Sequence, residues 1–81
     1  MDIFAEFGAI RNTDPASEAA QALVTKLQEY ITKHYYTCTK EILSGLGKMY
    51  AAGGEFTRNI DSCGGEGTAA FAHQAIEVFC R

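Results

Sequence analysis

HYYTCTKEILSGLGKMYAAGGEFTRNID, residues 34–61, decides the fold. Tyr35 to Cys38 read as a short linker. Thr39 then caps a helix: its hydroxyl can accept an N–H from the first turn, and Glu41 favours the positive end of the dipole. The helix is expected to run to about Ala52, with Ile42, Leu43, Leu46, Met49 and Tyr50 facing inward. Gly45 and Gly47 each cost about 1 kcal/mol of helix propensity relative to Ala and are expected to permit close approach. Gly53-Gly54 supplies a left-handed stop, after which Glu55 to about Asp61 form a brief helical turn presenting Phe56 and Ile60.

The flanks carry the same helical signature. Upstream, Ala20, Leu23, Val24, Leu27, Tyr30, Ile31 and His34 recur at i, i+3, i+4, i+7, so a helix is expected from Ser17 to about His34. Its cap is Thr13 or Asp14 before Pro15, or Ser17 after it. A shorter segment, Asp2 to about Ile10, sets Ile3, Phe4, Phe7 and Ile10 on one side and should fray if unsupported. Downstream, Ser62 to Gly67 form a second break, and a last helix from about Glu66 to Phe79 buries Phe71, Ala72, Ala75, Ile76 and Phe79. Four or five short helices result, with no credible strand. The fold class is an all-α small bundle, read as one domain over residues 1–81.

Eighty-one residues build one modest core. With 47% hydrophobic and 21% charged residues and no low-complexity tract, the chain is expected to fold. A net charge of −3, and Lys and Arg scattered at 11, 26, 33, 40, 48, 58 and 81, leave no basic stripe for phosphates. Direct nucleic-acid contact is not expected. No apolar run approaches the roughly 20 residues of a membrane span, and Asp2 and Glu6 stand where a signal peptide would be basic. The expected address is cytoplasmic.

Cys38, Cys63 and Cys80 are three cysteines at wide spacing without a CxxC pair, and read as reduced thiols. His34 and Cys38, four apart, lack the further ligands that zinc requires, so no metal is expected. Glu41, Glu55, Asp61, His34 and His73 form no recognisable nucleophile and base pairing, so the chain reads as no enzyme, without a cofactor.

Several segments in register resemble the TipAS antibiotic-recognition domain at the C-terminus of many MerR-type transcriptional regulators. They are DPASEAAQALV at 14–24, YYTCTKE at 35–41, GLGKMY at 45–50, FTRNID at 56–61, and Gly67, Phe71 and Ala75-Ile76. The resemblance implies a globin-like helical arrangement without haem, whose cleft captures thiopeptide antibiotics or other bulky, largely apolar compounds. It covers the C-terminal core of that effector domain. The DNA-binding domain and dimerising helix of the full regulators are not matched here. The chain is thus expected to be either an excised effector module or a free-standing drug-binding protein. Lys40 departs from the family, many members of which carry Pro there, and Gly64-Gly65 lengthens the last loop.

Residue chemistry points the same way. Aromatic rings give large contact area at low entropy cost, and Met adapts to irregular ligands. Tyr35, Tyr36, Cys38, Met49, Tyr50, Phe56 and Asn59 are therefore the expected ligand-binding residues. For Met49 and Tyr50 core packing competes with ligand contact, and for Asn59 and Asp61 capping competes with hydrogen bonding to a ligand amide. Cys38, just before a helix N-terminus, is expected to have a lowered thiol pKa. The resemblance makes it the candidate for covalent attachment to a dehydroalanine tail, while burial as a small gap-filling residue is the alternative. Cys63 and Cys80 read as incidental. A different class of function is a helical interaction module whose exposed aromatics dock a partner protein or a second copy, as a weak homodimer.

Overall fold

The computed structural model describes residues 2–81 and contains five helices: α1 (Asp2–Ala9), α2 (Glu18–His34), α3 (Lys40–Tyr50), α4 (Glu55–Gly64) and α5 (Thr68–Phe79). The described residues contain no strand. Both main caps follow from local chemistry. Ser17 Oγ accepts the Ala20 N–H at 3.2 Å to open α2, and Thr39 Oγ1 accepts the Ile42 N–H at 3.3 Å to open α3. Of the other cap candidates, Asp14 instead accepts the Ala16 N–H and Thr13 donates to the Ile10 carbonyl. Gly53, at φ 86°, makes the left-handed stop after α3.

α5 is the hub and packs against all four other helices. Its buried positions Ala69, Ala72 and Ala75 are small, so neighbours approach on several sides, while Phe71 and Ile76 fill the space between them. Gly47 serves the same end from α3, where an added methyl would stand 3.1 Å from Ile76 Cγ2. Gly45 does not: nothing lies within 4 Å of where its side chain would be. It is a solvent-facing glycine and not a close-approach site.

α4 is longer than the brief turn expected, continuing through Ser62 and Cys63 to Gly64. Its partner extends it. α1 crosses α4 where Gly8 meets Gly64, so closely that a methyl on Gly8 would overlap the Gly64 carbonyl. Arg11 Nη1 clasps the crossing by donating to the carbonyls of Gly8 at 2.6 Å and Gly64 at 3.0 Å. α1 is therefore supported, with Phe7 fully buried. α5 begins later than expected, at Thr68, and its open end is capped from α4, as Asp61 Oδ1 accepts the Ala69 N–H at 2.9 Å.

The stripes expected on α2 and α5 form the core, with Leu23, Tyr30 and Phe79 partly buried. His34 instead lies exposed against the Tyr30 ring, centroids 4.5 Å apart. The stripe of α3 is only partly covered. Leu43 and Tyr50 are buried, but Ile42 and Met49 keep 39% and 49% of their surface exposed. α3 packs on α5 and α4, and Ile42 and Met49 stay exposed on a side that neither helix covers.

Candidate functional site

α2 packs closely against neither α3 nor α4, and a cleft of about 470 Å³ opens between them. Such a volume falls in the range of small-molecule sites. Leu27, Tyr30 and Ile31 form the α2 wall, Leu46 and Tyr50 come from α3, and Phe56, Asn59, Ile60 and Cys63 from α4. Phe4 enters from α1, and Tyr35 and Tyr36 stand on the linker.

Each wall is fixed by its own local contacts. The linker is tied back to α2: Gln28 Nε2 donates to the Cys38 carbonyl at 2.9 Å, and the Cys38 N–H donates to Thr32 Oγ1 at 3.0 Å. Both Tyr35 and Tyr36 also direct their N–H groups at the Ile31 carbonyl, at 2.9 and 3.2 Å. With the backbone held on α2, the two phenol rings stay 70% and 52% exposed. At the α3–α4 corner, Thr57 Oγ1 accepts the Gly53 N–H and donates to the Tyr50 carbonyl. This ties down the turn that sets Tyr50 and Phe56 side by side, ring centroids 6.2 Å apart.

The rings form two groups. Phe4, Tyr50 and Phe56 make one, in which Phe4 and Tyr50 meet edge to face at 5.4 Å. Tyr30 and Tyr35 make the other, at 6.3 Å and 56°. Among the described residues, no Asp, Glu, Lys, Arg or His lines the cleft. Burial, aided by nearby Cys38 and Tyr36, pushes the Tyr50 phenol pKa up to about 12. The wall is therefore neutral and can exchange hydrogen bonds through phenols and the Asn59 amide while burying apolar surface.

Five of the seven residues expected at a binding site line this cleft: Tyr35, Tyr36, Tyr50, Phe56 and Asn59. Met49 does not line it and lies on the exposed side of α3. Cys38 does not line it either. Its side chain is 4% exposed and joins the core, and burial, reinforced by neighbouring Cys80, raises its thiol pKa. The direction is opposite to the lowering expected from the helix N-terminus, and its main cause is removal of the thiol from water. The gap-filling alternative describes Cys38. Asp61 acts as the cap of α5, in line with its capping alternative.

Sequence reasoning missed Leu27, Tyr30, Ile31, Leu46, Ile60 and Cys63 as cleft residues. Most lie on stripes already assigned to the core, and their share of an open wall depends on the α2–α3 gap. Cys63, read as incidental in a loop, is an exposed α4 residue on the cleft. No group of three or more potential metal-binding side chains occurs among the described residues.

The family model for the TipAS antibiotic-recognition domain matches residues 1–79. The chain is also similar to the HTH-type transcriptional activator mta of Bacillus subtilis (strain 168), at 35% identity over 78 residues. That match covers 96% of this chain but only 30% of the relative, so the chain spans about a third of its length. No solved structure matches.

Proposed function

The chain belongs to the TipAS antibiotic-recognition family, and on that premise we propose that the α2–α3–α4 cleft is an effector site for thiopeptide-like or other bulky, largely apolar antibiotics. The observation that carries this reading is the cleft itself: about 470 Å³, aromatic on both sides and, among the described residues, without an Asp, Glu, Lys, Arg or His in its lining. Tyr35, Tyr36 and Phe56 offer exposed contact surface at the mouth, Tyr50 forms the buried wall, and Asn59 supplies an amide for orientation. The proposed setting is a MerR-type transcriptional regulator, as the similarity to an HTH-type activator supports. A free-standing drug-binding protein would use the same cleft.

Binding would act on α1. A ligand that fills the space beside Phe4 and Tyr50 holds the α1 wall in place, and any state in which α1 is displaced loses that contact. The ligand thus favours the packed state by its difference in affinity for the two. The proposed location is the cytoplasm; among the described residues no helix is long and apolar enough to cross a membrane.

A second reading rests on Ile42 and Met49, whose exposure gives α3 an apolar outer edge. That edge would serve an interaction module or a weak homodimer, and size exclusion at rising concentration detects it as an earlier-eluting species. The effector reading is tested by thermal unfolding of the chain against a panel of thiopeptides. Ligand at 100-fold excess over its Kd adds about 2.7 kcal/mol to a folded state that alone binds it. A rise of several degrees supports the proposal. No shift with any member rejects a thiopeptide site in this chain.

A further inference from the structure

We propose that Cys38 and Cys80 form a reversible redox pair, closed as an intramolecular disulfide by exchange with a small oxidised disulfide such as glutathione disulfide. The inference is independent of what the cleft binds. The two thiols come from distant parts of the chain, the α2–α3 linker and the C-cap of α5, and the fold brings them to one place. Cys38 Sγ lies 3.8 Å from the Thr39 carbonyl oxygen and Cys80 Sγ 3.3 Å from the Lys40 carbonyl oxygen, so both sulfurs stand against consecutive carbonyls at the start of α3. Burial raises the Cys38 thiol pKa and charge on Cys80 raises it further, which puts the two groups within electrostatic reach of each other.

Their surroundings give the two thiols different roles. Cys80 is half-buried and lines a shallow depression with Lys40, Glu41 and Ser44, through which a small reagent reaches it. Burial raises its thiol pKa, and the Lys40 ammonium, held 5.5 Å from the centroid of the neighbouring Phe79 ring, offsets part of that rise. Cys38 is 4% exposed and is shielded from direct attack by such a reagent. Cys63 lies on the cleft, which neither of the other thiols lines.

The exchange balances without another reactant. The Cys80 thiolate attacks one sulfur of the small disulfide, whose S–S bond breaks, and one small thiol leaves with the proton that Cys80 gave up. Cys38 gives up its own proton, attacks the Cys80 sulfur of the mixed disulfide and displaces the second small thiol. Two protein thiols are oxidised and one small disulfide is reduced to two thiols. An S–S bond of about 2 Å requires the sulfurs to draw together. Cys80, as the C-cap residue, stands outside the helical body of α5 and can turn towards Cys38 without unwinding it. The bond ties to α5 the linker that Gln28 and Thr32 already tie to α2, and so braces the segment that carries Tyr35 and Tyr36.

The test is incubation of the intact, folded chain in a glutathione redox buffer, quenching with N-ethylmaleimide and peptide mass mapping. The Cys38–Cys80 linkage is expected to be about ten-fold more abundant than any internal linkage to Cys63, because the fold holds that pair together. Dithiothreitol should reverse it. The linkage should persist in Cys63→Ser and be absent from Cys80→Ser, which alters a half-buried position and should fold normally. In urea the preference over Cys63 should be lost, and amide exchange across residues 35–39 is expected to slow in the oxidised, folded chain. Glutathione carried singly on Cys80 without a bond to Cys38 overturns the pair, as does a main product linked through Cys63. Cys80 left unmodified under conditions that modify Cys63 overturns it as well. An equal preference for Cys38–Cys80 in urea would mean that the fold does not select the pair. Unchanged exchange across residues 35–39 with the bond formed overturns the bracing.

Discussion

Phe4 of α1 meets Tyr50 of α3 edge to face, with ring centroids 5.4 Å apart and planes inclined by 83°. The contact makes the first helix part of the cleft wall. Three residues further, Phe7 reaches Phe71 of α5 at 6.2 Å, so α1 joins cleft and core through two rings on one helix. A compound seated beside Tyr50 therefore acts on α1 directly. Amide exchange across residues 2–11 is expected to slow when the chain is saturated with a stabilising thiopeptide. Unchanged exchange there, with binding established, would remove α1 from the response.

The α1–α4 crossing depends on the absence of side chains at two positions. Gly8→Ala places a methyl against the Gly64 carbonyl, and Gly64→Ala sets one 2.6 Å from the Phe4 carbonyl. Each is expected to cost roughly 2–4 kcal/mol, because backbone must move to relieve the overlap. Gly45→Ala is the control. It lies inside α3 with nothing within 4 Å, and is expected to stabilise by about 0.5–1 kcal/mol through helix propensity. Urea denaturation of the three variants distinguishes a packing role from a propensity effect.

Tyr50 should be the last of the tyrosines to ionise. Its phenol, raised to about 12 mainly by burial, lies above the ordinary value of about 10. Between those values the folded chain holds a proton that the unfolded chain has released. The stabilising contribution is thus complete below about pH 10 and is lost as pH rises towards 12. Ultraviolet titration of phenolate should show a delayed component that disappears in Tyr50→Phe, and the alkaline loss of stability should become shallower in that variant.

Thiol accessibility gives an order that differs from one based on helix position alone. Cys63 is exposed on the cleft, Cys80 is half-buried with Sγ 3.3 Å from the Lys40 carbonyl, and Cys38 is buried. Burial raises the thiol pKa of both Cys38 and Cys80. Alkylation of the folded chain with iodoacetamide, followed by peptide mass mapping, is expected to modify Cys63 first and Cys38 last. Fast modification of Cys38 would mean that its region opens readily. Cleft occupancy should slow labelling of Cys63.

What the sequence carried and what it did not divide along the range of the interactions. Ser17 and Thr39 were readable as caps because the hydroxyl and the N–H it accepts lie three residues apart. The buried faces of α2 and α5 were readable from periodicity, since each helix is covered along its stripe. α3 has the same periodicity, but its packing on α5 and α4 leaves one side open, so Ile42 and Met49 emerge. The Gly8–Gly64 crossing joins opposite ends of the chain and leaves no local signal, so the extension of α4 to Gly64 was hidden. Of the candidate site, the aromatic linker and the α3–α4 corner were legible by residue type. Tyr30 and Cys63 reach the cleft only through tertiary packing.

The most direct test of the effector cleft is a two-dimensional amide NMR titration of the chain with a thiopeptide, read residue by residue. The account predicts that the largest shifts fall on Tyr30, Tyr35, Tyr36, Tyr50, Phe56 and Asn59, and that Phe56→Asp, at a position 52% exposed, abolishes them without unfolding the chain. Shifts centred instead on Ile42 and Met49, or on the Lys40–Glu41–Ser44 surface, with the cleft residues unmoved, would contradict it.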